Sequence, residues 1–271
     1  AGMGITALCH LLEELAREDA SLAAIIFTTN IAQSILLAAD EMQALHSLTA
    51  GKQHVEDFYV AFPTFNNPSE VAPTVFAEQV DGHYTLSGQV DYLVLGSLAR
   101  YGLIPACRQA STAYSFFLVD LKDPAIHISV PVLSLGLHAC PAVDIIMEGV
   151  DAQLIGNIDQ GSSVFDTGTA KMHLAAAAIA AGIMKGSLRD ALAYCKQREQ
   201  GGRKIIGWSE VQMILADMAL QIEVADMLIA EACRNAELDV KDWPKKVLAA
   251  AVHIQAAAAQ VTTDGVQVLG G

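Results

Sequence analysis

Positive charge is scarce in this chain. It carries 16 lysines and arginines against 30 aspartates and glutamates, a formal net charge of -14. That balance argues against nucleic acid or an anionic membrane face as a partner. Charge of either sign is thin, at 17% of residues against 53% apolar ones, so much of the surface is expected to meet other protein. A strongly apolar run reaches from Leu174 to Met184 between His173 and Lys185. It falls short of the roughly 20 residues a bilayer span needs and reads as a buried helix, with no membrane span expected. The first residues lack the charged-then-apolar layout of a signal peptide. Cysteine is limited to five scattered residues with no C-x-x-C pair. That usage fits a reducing, cytoplasmic setting in which cysteine serves as a small buried hydrophobe. His138-Ala139-Cys140 offers two metal ligands, but no second cluster completes a set, so no metal site is expected.

Proline is nearly confined to one stretch: seven of the 8 lie between 63 and 141, and the remaining one is Pro244. This partition divides the chain into an N-terminal helical block (1–50), a middle β block (51–160) and a C-terminal helical block (161–271). In the first, Leu8, Leu11, Leu12 and Leu15 are read as one face, with Glu13, Glu14, Arg17, Glu18 and Asp19 elsewhere. In the second, β-rich runs are expected at Thr74–Phe76, Tyr84–Leu86, Tyr92–Leu95, Ser115–Val119, Ile126–Val130 and Asp144–Met147, with Asp81-Gly82 as a hairpin turn. Short strands in that number predict a small barrel or sandwich. The third block shows long helical stripes, Val211, Ile214, Leu215, Met218, Ile222 and Ala225 in one, Val247, Ala251, Ile254, Ala258 and Val261 in another. Alanine runs at 175–178 and 256–259 suggest close helix packing within a bundle. The whole reads as an α+β multidomain chain without the alternation of a doubly wound sheet.

Five motifs in order resemble the acyl-CoA dehydrogenases. Leu12 to Ser21 resembles the family's E-E-L-A-R-x-D-A-S helix, and Asp81 to Gly88 its G-x-x-Y-x-L-N-G hairpin. Ala193 to Gly202 is similar to Y-A-x-x-R-x-Q-F-G, Leu215-Ala216-Asp217-Met218 repeats L-A-D-M, and Asp264 to Gly271 resembles D-A-V-Q-x-L-G-G. The resemblance implies N-terminal helices, a middle β-barrel domain and a C-terminal four-helix bundle. It implies FAD as cofactor, an acyl-CoA thioester as substrate and α,β-dehydrogenation with hydride transfer to the flavin. An electron-transfer flavoprotein would receive the electrons. The assembly expected is a homodimer or homotetramer, or a heteromer with a related subunit, because each flavin is partly held by a neighbour. The ends of the chain, at Ala1-Gly2-Met3-Gly4 and at Gly270-Gly271, read as cuts within a longer sequence.

By family position, the cofactor-binding residues implied are Arg198, Gln200, Gln267, Gly270, Gly271, Tyr92 and Val94, and the substrate-binding ones Ser69 and His173. Arg198 reads equally as an ordinary solvated helix arginine, the glycine pair as a plain helix end, and His173 as a core histidine on an apolar helix. The departures fall at the chemistry. The family's T-E-P-G-A-G-S-D loop is Pro63 to Glu70 here, with asparagine and proline in place of glycine. Its W-I-T-N is Tyr92-Leu93-Val94-Leu95, which keeps an aromatic wall but lacks the threonine hydroxyl. No catalytic base can be assigned. Most family members carry it beyond the glycine pair, and the alternative position is Met172, which takes no proton. A second expectation is therefore a non-catalytic paralogue that pairs with an active subunit. A third, from another class, is an aspartic protease, since Val164 to Thr169 matches the apolar-apolar-D-T-G-[ST] string. Acyl-chain length is not legible in the sequence.

Overall fold

The computed structural model describes residues 4–49, 58–109 and 111–270. They form two compact units: Ala1–Ala23 with Ala170–Gly271, and Ala24–Thr169.

The first unit is a helical bundle of α1 (Ile5–Glu18), α5 (Met172–Gln197), α6 (Ser209–Glu237) and α7 (Trp243–Leu269). Its fourth helix thus comes from the start of the chain. The expected stripes on α6 and α7 are its dry faces: Met218, Ala225, Val247, Ile254 and Val261 are fully or almost fully buried. The α1 face is different from the expected one. Leu8, Cys9, Leu12, Glu13 and Ala16 are buried while Leu11 is exposed. Four leucines suggested that stripe, but Glu13 displaces Leu11 because Lys185 of α5 is there to pair with it. Helices α1 and α5 approach closely because α5 carries glycine at that contact. A Cβ on Gly182 would lie 2.2 Å from the Glu13 carbonyl oxygen, and one on Gly186 2.6 Å from that of Arg17. The alanines at 175, 177 and 178 are fully buried, whereas the 256–259 run is half-buried or exposed and makes no tight seam.

The second unit is a β-barrel with three helical segments, the latter part of α2 (Ala20–Ala38), α3 (Met42–Thr49) and α4 (Gly161–Thr169). Its strands are β1 (Val60–Ala61), β2 (Val75–Val80), β3 (His83–Val94), β4 (Tyr101–Arg108), β5 (Tyr114–Asp120), β6 (Ile126–Ile128) and β7 (Ala142–Ile155). Pairing runs β4–β2–β3–β7–β5 and returns from β5 to β4, so the sheet closes and its inner strands keep no free edge. Asp81 and Gly82, both with positive φ, form the two-residue turn that registers Val80 against His83. Strand β4 is absent from the sequence reading because Pro105 sits inside it. On one edge β4 pairs with β5 throughout; on the other it pairs with β1 at 101–102 and β2 at 107–108. The gap at 103–106 is where a residue without N–H does least harm to the ladders.

Helix α2 is a second strongly apolar segment. Its 19 residues are long and apolar enough, by length and composition alone, to cross a membrane. Half of that window is buried in the protein, with Ala32, Ile35 and Leu36 fully so. The D-T-G string does not lie among strands. It forms the end of α4, where Asp166 is exposed and Gly168 packs on the backbone of Ile35. A helix cannot present the paired aspartates of an aspartic protease, so that expectation falls.

Candidate functional site

The two units each carry part of the implied set, in different states. In the helical unit, α5 ends at Arg198, whose extended backbone donates to the Tyr194 carbonyl (2.8 Å) and accepts from Ile205 N–H (2.9 Å). The main chain is satisfied, and the guanidinium side chain is exposed. Directly after it, β8 (Glu199–Gln200) and β9 (Arg203–Lys204) pair around Gly201 and Gly202, both with positive φ. Glycine stands where the family has phenylalanine because a two-residue turn needs both central positions left-handed. A Cβ on Gly201 would also lie 2.9 Å from the Trp208 ring. Trp208 closes the hairpin by donating Nε1–H to the Gln200 carbonyl (3.3 Å), and Arg203 lies over its ring at 3.7 Å. The Gln200 side chain stays on the exposed side. The glycine pair between Gln200 and Arg203 was the signal for this hairpin, and it went unread in the sequence.

At the other chain end, α7 continues through Leu269. Gly265 is buried inside it, against Ser187 of α5. Gly270 caps the helix with φ +93, returning its N–H to the Gln267 carbonyl (3.1 Å), and space around its α-carbon is open. Gln267 is exposed. Gly271 lies outside the described residues. Lys171 before α5 lies over the Trp243 ring at the start of α7, and Gly265 rests on Ser187, so the two helices run parallel and the α7 end advances along α5 in the direction of Arg198. His173, in the first turn of α5, is exposed between buried Met172 and Leu174. The core-histidine reading is thus overturned: α5 turns that position outward although its neighbours are apolar.

In the β unit the implied positions differ: Val94 is buried, Tyr92 half-buried and Ser69 exposed. Tyr92 and Leu95 both take left-handed backbone (φ 58 and 65), and the β3–β7 register shifts between Val90 and Leu93. Such a conformation costs a non-glycine residue on the order of 1 kcal/mol. Asp144 holds the bulge by accepting the Tyr92 N–H (2.9 Å), and the Tyr92 ring meets Phe65 edge-on at 5.8 Å. Val94 is 2% exposed, with its N–H and carbonyl both bonded to Phe62. The loop from Pro63 to Glu70 binds itself: Asn67 accepts Ser69 N–H (3.0 Å) and donates to the Glu70 carboxylate (3.0 Å).

Ser69 lies 3.5 Å from the hydroxyls of both Tyr114 and Ser162, at a cavity of about 430 Å³. Burial pushes the Tyr114 phenol up. Asp159 lines the same cavity, ion-paired through one oxygen with Arg108; its Oδ1 is buried without a hydrogen-bond partner among the described residues. Such an atom offers a place for an incoming donor. Arg108, Tyr114 and Asp159 escaped the sequence reading, being scattered over three segments that only the barrel brings together.

Residues 159–271 match the family model described as acyl-CoA dehydrogenase, C-terminal domain. The whole chain is similar to "Probable acyl-CoA dehydrogenase FadE25" of Mycobacterium tuberculosis, at 27% identity over 281 aligned positions, covering 72% of that protein. It is also similar to cyclohex-1-ene-1-carbonyl-CoA dehydrogenase of Syntrophus aciditrophicus, at 26% identity, covering 67% of it. Among solved structures, butyryl-CoA dehydrogenase of Megasphaera elsdenii superposes with a TM-score of 0.85 at 24% identity, over all of this chain and 73% of its own.

Proposed function

From the premise that the chain is a member of the acyl-CoA dehydrogenase family, we propose that it is a flavin-dependent oxidoreductase of acyl-CoA thioesters. The reaction is α,β-dehydrogenation, with FAD as the cofactor and an electron-transfer flavoprotein as the acceptor. The observation that carries this reading is the α5 terminus. Arg198 and Gln200 have satisfied backbones and exposed side chains on a hairpin closed by Trp208. A planar fork of donors held at a fixed point suits a pyrophosphate. Gln267 and the left-handed cap at Gly270 form a second open surface of the same kind. Both are exposed, which supports an oligomer in which subunits share cofactors. Five free cysteines accord with a cytoplasmic location.

The donors of the helical unit fit FAD's pyrophosphate. When bound, FAD would supply the hydride-accepting chemistry. The chain's own part is to hold the diphosphate at Arg198 and Gln200 and the thioester near Ser69, where hydroxyls converge. The β unit fits the flavin ring poorly. Tyr92 supplies an aromatic face, but buried Val94 presents neither a hydroxyl nor a spare backbone group. Met172, at one family position of the base, is buried and aprotic.

That mismatch favours a second reading, a paralogue lending Arg198, Gln200, Gln267 and Gly270 to a catalytic subunit's flavin. One experiment separates the two. The purified chain is loaded with FAD, and its flavin retention and acyl-CoA-dependent bleaching are measured, alone and mixed with a catalytic relative. Retention with bleaching by the chain alone supports the first reading. A colourless chain that raises the relative's flavin retention supports the second. If neither happens, both readings fail.

A further inference from the structure

The bundle leaves a broad apolar face exposed on α6 and α7. On α6, Met213, Leu220 and Met227 are 73%, 57% and 64% exposed. They recur every seven residues, the spacing of a seam between helices, on the side away from buried Leu215, Met218 and Ile222. On α7 the outward stripe is Val252, Ala256, Ala259 and Thr263, all exposed, with Val252 at 69%. It takes in part of the alanine run that makes no seam within the unit. A groove of about 580 Å³ joins the two helices, lined by Val224 and Leu228 of α6 and by Ala249, Ala250 and His253 of α7. Val224 lies one turn from Leu220 and Ala249 one turn from Val252, so both stripes border one surface. We propose that a second copy of this chain covers this face, related by a two-fold axis that lays α6 of each copy on α7 of the other.

The surface carries both halves of its own fit. Lys246 Nζ donates to the Asn235 side-chain oxygen (3.0 Å), which sets those two residues level where α7 turns back along α6. Counting equal numbers of residues from that level, Met227 stands at the height of Ile254 and Leu220 at that of Val261. A two-fold parallel to the helices keeps every height. Met227 of one copy therefore arrives between Val252 and Ala256 of the other, and Leu220 between Ala259 and Thr263, large side chains over small ones. Charge favours the same occupant. At a net charge of -14, two copies repel wherever acids face each other, yet α7 has no Asp, Glu, Lys or Arg from Val247 to Thr263. At the groove's end Glu231 is already paired with Arg234, and Lys246 with Asn235. Area agrees as well. Neighbouring helices of 29 and 27 residues present a face roughly 40 Å by 20 Å, on the order of 800 Å², the share one partner contributes to a stable interface.

The test weighs the full chain by sedimentation equilibrium from low to high micromolar concentration. The expected mass at the upper end is at least twice that of one chain. Leu220→Glu and Ala259→Glu each set a charge at an exposed position that the folded monomer absorbs, and circular dichroism checks that helix content persists. Each should weaken self-association about 100-fold or more, because a two-fold interface feels every change twice. Leu220→Cys combined with Ala259→Cys should link two chains under mild oxidation, reversibly with dithiothreitol, while the five native cysteines stay buried. A wild-type chain that remains monomeric throughout overturns the proposal, and that is the result if a different protein covers the face. Self-association that neither glutamate variant weakens overturns it too, since another face then makes the contact. Should a glutamate variant lose its fold, the cysteine pair decides: an oligomer in which it links no chains sinks the α6-on-α7 arrangement. None of these readouts depends on flavin binding.

Discussion

The helical and β units hold the same inheritance in opposite ways. In the bundle, positions implied to touch cofactor sit on exposed ends whose main chain is already satisfied, at Arg198, Gln200, Gln267 and Gly270. In the barrel, Val94 has become core and Tyr92 is locked in a bulge by Asp144. Side chains at a helix terminus can be kept or lost without disturbing the packing beneath them. Those on an inward-facing strand cannot, because whatever is not ligand must be filled by protein. A ligand-contacting threonine that loses its role is easily replaced there by valine, which fills the same volume and leaves no hydroxyl to satisfy.

The largest test of the bundle's side of this contrast is its tightest contact. Gly182→Val would push a side chain into the Glu13 carbonyl and force α1 off α5. Chemical denaturation should show a loss of about 3 kcal/mol or more. A tolerated valine would mean that α1 is not an integral fourth helix of the bundle.

Next comes the ion cluster beneath it. Lys185 bridges buried Glu13 and half-exposed Asp226. Lys185→Met leaves Glu13 buried without its cation and should cost roughly 2 kcal/mol at neutral pH, a buried-pair loss discounted for partial exposure. Burial works to lower the Lys185 value, but hydrogen bonds to Asp226 and Glu13 more than offset it, and the value is raised. A group raised on folding contributes fully below its unfolded value and loses that contribution as pH climbs through its folded value. Stability should therefore fall in the alkaline range above the ordinary lysine value. In Lys185→Met that limb should flatten, and a matching alkaline loss in the variant would rule out Lys185 as its source.

Arg198→Ala asks whether the exposed ends bind. Melting should move by no more than a degree or two, since the Arg198 backbone bonds persist. FAD retention, by the chain or by a mixed oligomer, should drop about 10- to 100-fold, the worth of a lost charge-assisted hydrogen bond. Unchanged retention would remove the observation on which the flavin reading stands.

Much of this contrast was legible in the sequence, and unevenly so. Helical periodicity gave the α6 and α7 stripes, and Asp81-Gly82 gave its hairpin, because both signals are local. Arg198 and Gln200 could be singled out by motif. Strand β4 could not, because its tolerance of Pro105 depends on a gap between two partners far away in sequence. Nor could buried Glu13, whose place is decided by a lysine on another helix. The barrel cavity at Ser69 draws Tyr114, Asp159 and Ser162 from separate segments, with Arg108 paired to Asp159, and no spacing along the chain announces that.

The smallest effect bears on the barrel's side. Val94→Thr restores the hydroxyl of the family's W-I-T-N at a site 2% exposed. If the position is now core, the new hydroxyl has no partner, because the nearest backbone groups on Phe62 are already bonded to Val94 itself. The barrel should then lose about 1 kcal/mol, seen as a lower urea midpoint, with flavin retention unchanged. If the position still faces a flavin, the hydroxyl finds an acceptor there, and the variant should retain more cofactor and lose its stability penalty when FAD is added. The sign of the FAD-dependent shift in melting temperature separates these outcomes. A positive shift larger than that of the wild type would show that only one hydroxyl separates the two units, and that the barrel's ligand wall is intact.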